Sequence, residues 1–215
     1  MPPNLKHSQI SLFAAPEASG QLRLESLTWP PGERFPLNTA GQQVREHVMR
    51  DLEASSDPLI VAGYASIDYL IDFAARLGPR DGRLRVLVGT EPFPGQRPSY
   101  SAPSTRFPLE VEAYWLDRGV SLRLSSKIVQ TMDLIRSGRL VARYLGGERA
   151  RLHAKIYAGD SGITIGSSNF TQAGLTRQIE ANVRLTPKDK GRFDEARTIA
   201  ENLWEAGEPY GDELL

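Results

Sequence analysis

The side chains with the most chemistry to offer stand within thirty residues, Arg151 to Glu180, in the run RLHAKIYAGDSGITIGSSNFTQAGLTRQIE. His153 and Lys155 are two positions apart in an otherwise apolar stretch. On a strand over 151–158 both point to one face, while Leu152, Ala154 and Ile156 point to the other. A face carrying an imidazole and an ammonium makes poor core and suits an anion. Taken alone, a His-x-Lys is more often the wet side of a half-exposed strand, and the next element shifts that balance. A second strand over 162–166, joined through Gly159-Asp160-Ser161, runs directly into Gly166-Ser167-Ser168-Asn169. Glycine permits close backbone approach, and Ser and Asn bring neutral hydrogen-bonding groups. A connection this short suits a hairpin. Pairing of the two strands brings Ser167 and Asn169 toward His153 and Lys155, and the whole stretch reads as a phosphate site.

The elements that must position it are legible upstream. From Thr39 the pattern is helical, with Val44, Val48, Met49 and Leu52 on one face. Leu59 to Tyr64 is a short apolar run, as expected of a strand buried on both sides. Ser66 is placed to cap a helix over Ile67–Leu77, which Gly78-Pro79 stops. Leu84 to Gly89 is a second strand. Strand, helix, strand makes a βαβ unit, and its right-handed crossover implies parallel pairing. Further on, the spacing predicts a helix over 109–118, a strand over 120–124, and a helix ending at Arg136 with Ile128, Met132 and Ile135 inward. A strand over Leu140–Leu145, another over Ile179–Leu185 and an amphipathic helix over Phe193–Trp204 follow, the last with Ile199 among its apolar positions. The fold class is α/β, with a mixed, largely parallel sheet flanked by helices on both faces. Residues 1–38, punctuated by Pro2, Pro3, Pro16, Pro30, Pro31 and Pro36, read as an irregular segment packed on a domain over 39–206, with a tail over 207–215.

Composition narrows the functional classes. The chain has 215 residues, 40% hydrophobic and 24% charged, as ordinary globular proteins do. Its 26 basic and 26 acidic residues cancel, so any basic surface is local. There is no cysteine, which excludes disulfides and thiolate metal sites and suits a reducing compartment. No run approaches a membrane span and no secretory signal opens the chain, so a cytoplasmic protein without membrane contact is expected. The Pro-rich loop 89–108 carries Arg97 and Arg106 beside Tyr100. With Arg76, Arg80, Arg83 and Arg85 before it, this is either a solvated surface or a basic wall near a polyanion.

His153-x-Lys155, four residues, Asp160, then Gly166-Ser167-x-Asn169 resembles the His-Lys-Asp signature of the phospholipase D superfamily. Five residues separate Asp160 from Gly166 where the common pattern has six. Glu180 stands eleven residues after Asn169, where the nuclease branch often has a glutamate. With the preceding βαβ pattern, the resemblance extends over about residues 40–206, and it implies the family's α-β-α architecture. It implies that His153 attacks phosphorus to form a phosphohistidine, that Lys155 and Asn169 bind the non-bridging oxygens with help from Ser167 and Gly166, and that Glu180 holds the imidazole in its reactive tautomer. Asp160 would fix the turn. No metal and no cofactor are implied. The family's reaction takes two histidines, a nucleophile and a general acid. Here His7 and His47 lie outside any His-x-Lys, so a working site implies a homodimer that brings two copies of His153 together.

The resemblance further suggests the nuclease branch, including restriction enzymes and the nuclease-like domains attached to helicases. The expected function is a metal-independent phosphodiesterase acting on DNA, with Arg97 and Arg106 as nucleic-acid contacts and a helicase or restriction-system partner. The ending Gly-Asp-Glu-Leu-Leu would suit a domain of a longer protein. The competing expectation is a nucleic-acid-binding module with little or no turnover. A hydrolase of phospholipid or another small phosphodiester ranks below both.

Overall fold

The computed structural model describes residues 27–39, 42–77, 82–89, 129, 131–146 and 151–209. The expectations for Arg97 and Arg106, for Ile128, for the loop 89–108 and for the elements over 109–124 lie outside the described residues.

The element order is α1 (Val44–Glu53), β1 (Leu59–Ala62), α2 (Ile67–Leu77), β2 (Leu84–Gly89), β3 (Leu140–Leu145), β4 (Lys155–Ala158), β5 (Ile163–Gly166), α3 (Gln172–Thr176), β6 (Asn182–Leu185), α4 (Gly191–Ala206) and β7 (Glu208–Pro209). The strands form one seven-stranded sheet in the order β6-β5-β4-β1-β2-β3-β7. The expected βαβ unit is present: β1 and β2 are parallel, with Ile60 opposite Val86, and β3 continues parallel to β2. The parallel part is confined to these three strands. β4 lies antiparallel to β1, and β5, β6 and β7 each pair antiparallel with a neighbour. The reason lies in the connections. The one from β4 to β5 is too short for the crossover that parallel pairing needs.

Both faces of the sheet are covered, so all four residues of β1 are buried. On one face, Val44, Val48 and Leu52 of α1 pack with Leu70, Phe73 and Ala74 of α2 and with Phe170 and Leu175. On the other, Phe193, Ala196, Ala200 and Trp204 of α4 cover Leu59, Val61, Leu87, Ile156 and Ile163. Each fully buried large apolar side chain contributes about 1.5–3 kcal/mol. Ile199 departs from expectation and faces solvent. It sits six residues after Phe193, which at roughly 100° per residue falls on the far side of the helix from the Phe193–Trp204 stripe.

Two arginines are not surface groups. Arg85, one of the expected basic wall, is buried in β2, where its Nη2 donates to Glu201 Oε1 at 2.8 Å and it pairs with Asp57 at 2.9 Å. Arg184 in β6 donates to both oxygens of Asp51 in α1, through Nε at 2.6 Å and Nη2 at 2.8 Å. No helix among the described residues is long and apolar enough to cross a membrane.

Candidate active site

β4 begins at Lys155, not at Arg151 as the apolar pattern suggested. The segment before it is extended but crosses the ends of the parallel strands. Gly63, just past β1, donates its amide to Ala154 O at 3.0 Å. A Cβ at Gly63 would stand 2.7 Å from Leu152 O and 3.0 Å from the His153 Cα, so only glycine lets this segment pass so closely. The alternation expected of a strand survives here. Leu152, Ala154 and Ile156 pack toward α4, and His153 is exposed on the path between them.

Lys155 is 4% exposed. Its Nζ lies 2.9 Å from His153 Nε2 and donates to His153 O at 2.9 Å. An ammonium has three donors and no acceptor, so Lys155 can donate to Nε2 in the tautomer that carries its proton on Nδ1. The pair sets an imidazole nitrogen and a cation side by side, with the lysine on the nitrogen's lone pair.

The hairpin expected from Gly159-Asp160-Ser161 is present, with Ile156 opposite Ile165. One further step along that register sets Lys155 opposite Gly166. The Gly-Ser-Ser-Asn turn therefore leaves β5 at the end of the sheet where Lys155 enters β4. Gly166 itself packs against β6, since a Cβ there would meet Asn182 Oδ1 at 2.2 Å. Ser167 donates its hydroxyl to the Glu180 carboxylate and accepts from Ala181 N at 3.0 Å. Ser168 points inward: Asn182 Nδ2 donates to its hydroxyl at 3.0 Å, and Tyr157 OH donates to its carbonyl at 2.6 Å. Burial pushes the Tyr157 phenol well up, and the nearby Glu180 charge adds to the effect. Asn169 Oδ1 is buried with no hydrogen-bond partner. Phe170 anchors the turn in the core, and its carbonyl accepts from Ser66 N at 3.0 Å.

Three of the expected site residues have partners of their own. Glu180 engages the Ser167 hydroxyl, because Ser167 and Ala181 face each other where β5 and β6 leave the sheet. Gly166 serves packing against Asn182. Asp160 lies at the far end of β4, five residues or roughly 16 Å of strand from Lys155. There it accepts from Ser56 N at 3.0 Å and pairs with Arg197 at 3.4 Å, and the Ser56 amide holds its carboxyl below the usual range. The strand expected over Ile179–Leu185 starts at Asn182, and Ile179 is exposed. The loop expected after Asn169 contains α3, capped by Thr171 accepting from Gly174 N at 2.9 Å.

Asn182, Gly63 and Ser66, which hold the turn and the His153 segment in place, carried no motif. A glycine directly after an apolar strand was the one available sign of Gly63. His47 sits on α1 beside Glu33 and Arg50, and burial lowers its pKa. His7 lies outside the described residues. Among the described residues, no three His, Asp or Glu side chains gather as a metal-ligand set.

No protein-family model matches the sequence, and no curated protein matches it. Solved structures resemble it in three dimensions. Nuc from Salmonella typhimurium, a phospholipase D family member, superposes with a TM-score of 0.50 at 16% identity, over 83% of this chain and 97% of that one. The chain has a phospholipase D-like fold. Phosphatidylserine synthase from Haemophilus influenzae superposes with a TM-score of 0.54 at 16% identity, over 82% of this chain and 39% of that larger one. In this phospholipase D-like fold, the ends of β1, β4 and β5 are where His153, Lys155 and the Asn169 turn come together.

Proposed function

We propose that the chain is a metal-independent phosphodiesterase, a nuclease that cleaves DNA through a phosphohistidine at a site shared by two copies. The contact between His153 Nε2 and Lys155 Nζ carries this reading. It sets an imidazole nitrogen beside a buried cation, at the end of the sheet from which the Gly-Ser-Ser-Asn turn leaves β5. Lys155 turns from Nε2 to the phosphate oxygens, Nε2 attacks phosphorus with the lone pair so released, and the bond to the leaving oxygen breaks as the P–N bond forms. The leaving oxygen takes a proton from the protonated His153 of a second copy, which is left neutral. Water then attacks phosphorus and gives a proton to that second imidazole, while the P–N bond breaks and its electron pair returns to Nε2. Lys155 and the Asn169 amide hold the non-bridging oxygens as charge builds on them. Glu180 acts through Ser167, fixing the turn that carries Asn169.

The test is cleavage of DNA and of a chromogenic phosphodiester with chelator present. The expected result is turnover that survives chelation and disappears in His153→Ala. DNA retention without cleavage, unchanged by His153→Ala, would leave the alternative: a nucleic-acid-binding module with little or no turnover. A chain that is monomeric by light scattering and fully active would overturn the two-copy site.

A further inference from the structure

A second polar cleft opens between α1, α2 and α3, a small open space of about 60 Å³. Arg45, Tyr69, Arg76 and Gln172 stand on its walls, over a floor that includes Phe73. Tyr69, Asp72 and Arg76 recur at helical spacing on one face of α2. Arg45 Nε donates to the Tyr69 hydroxyl at 3.2 Å, which fixes the guanidinium and leaves its terminal nitrogens directed to other partners. The Arg45 and Arg76 charges both act on the Tyr69 hydroxyl and favour its ionised form; burial, the larger effect, pushes its pKa up.

The cleft is tied to the catalytic turn. The Tyr69 ring packs edge-on against Phe170 with centroids 5.2 Å apart, and Phe170 follows Asn169 directly. Gln172 opens α3 two residues later. Asn38 accepts from Val44 N at the start of α1 and donates to the carbonyls of Gly174 and Gln178, clamping α1 to the turn. α1 leads into β1 and α2 leads out of it, so the start of each helix lies toward the His153 end of the sheet.

We infer that this cleft holds a second phosphate of the same nucleic-acid strand, with Arg45 and Arg76 as its cationic contacts. The inference rests on the nuclease reading above. Gln172 on the cleft wall is three residues from Asn169, at most roughly 11 Å along the chain, so the contact falls within a few phosphates of the scissile one. A nucleic acid fits this spacing; a single lipid headgroup does not supply a second phosphodiester at that distance. Asp72, on the same face between Tyr69 and Arg76, opposes the strand and lowers its affinity.

The experiment measures binding by fluorescence anisotropy on a His153→Ala background, so that it does not depend on turnover. The probes are a labelled single strand of about 12 nucleotides and a dinucleotide too short to span both sites. Arg45→Ala and Arg76→Ala are each expected to weaken the long probe about tenfold more than the short one, the size of one charge-assisted contact. Each should also reduce the salt slope of log K by about 0.7. Asp72→Asn is expected to tighten the long probe, an effect opposite to that of a purely structural defect. Arg192→Ala, an exposed arginine of α4, serves as the neutral control. Equal losses on both probes, an unchanged salt slope, or tighter retention on anionic lipid vesicles than on the long probe overturns the cleft assignment. Length-dependent loss in a protein that cleaves nothing leaves the cleft standing and removes the catalytic reading. Cleavage that is indifferent to Arg45 and Arg76 does the reverse.

Discussion

Replacing Gly63 by alanine moves the candidate nucleophile without touching it. Among the described glycines, Gly138 is the one with positive φ, so the Gly63 backbone conformation is open to alanine and the whole effect is spatial. The new Cβ would lie 2.7 Å from Leu152 O and 3.0 Å from His153 Cα, both backbone atoms that no rotamer change can clear. Relief requires the 152–153 backbone to lift by roughly half an ångström or more. Lys155 is held by β4 and does not follow, so the Nε2–Nζ contact opens. Productive geometry tolerates about 0.5 Å, and a misplacement of about 1 Å costs on the order of 100-fold, so turnover should fall about ten- to a hundredfold. Overpacking should cost about 1–3 kcal/mol of stability, or roughly 2–10 °C in Tm. The assay is hydrolysis of a chromogenic phosphodiester with chelator present, beside a thermal melt. Gly191→Ala is the matched control. It opens α4 with nothing within 4 Å of its Cβ, and should leave turnover alone while stabilising by about 0.4–1 kcal/mol. A folded Gly63→Ala protein with full turnover would refute the argument that this glycine sets the position of His153.

Asp51→Ala leaves Arg184, whose side chain is 8% exposed, without its bidentate partner, and should destabilise by about 3–5 kcal/mol in urea titration, while an Asp51→Leu, Arg184→Met double variant should recover much of that loss. Asp160 has a depressed carboxyl pKa, so its contribution to stability is present above the ordinary value of 3.8 and is lost as pH falls through the lower folded value. Asp160→Asn should flatten that acid limb in unfolding curves measured against pH, and its turnover should match the parent's, because the group stands at the far end of β4. Ser167→Ala frees the Glu180 carboxylate and should lower kcat more than it raises KM, whereas an equal effect of Glu180→Gln on an Asn169→Ala background would separate the glutamate from the turn.

The elements that surround the site were legible because each rests on local patterning. α2 and the strands β2 and β3 occupy the ranges that periodicity and Gly/Pro punctuation assign them. The hairpin between β4 and β5 follows from three turn residues. What escaped was set by partners distant in sequence. Asp51 and Arg184 look like surface charges on a helix and an alternating strand, and their burial together appears only once β6 is brought against α1. β4 starts four residues late because Arg151 to Ala154 must cross the ends of β1 and β2, a constraint that no apolar pattern records. The resemblance assigns Glu180 to the imidazole, and the pairing of Ser167 with Ala181 sets its carboxylate on the serine. Ile199 recurs at helical spacing with the apolar positions of α4, but it lies off the Phe193–Trp204 stripe and is exposed.

Both margins of the sheet are closed to a further strand. At one side β7 is two residues long, exposed, and ends in proline, which has no amide hydrogen to offer a neighbour. At the other, the amide of Arg184 in β6 is already taken by Arg34 O at 2.8 Å, and Pro36 O is held by Asn182. The chain is thereby protected from edge-to-edge polymerisation. Among the described residues, the ends of the strands, where His153 is exposed, are left clear of both devices.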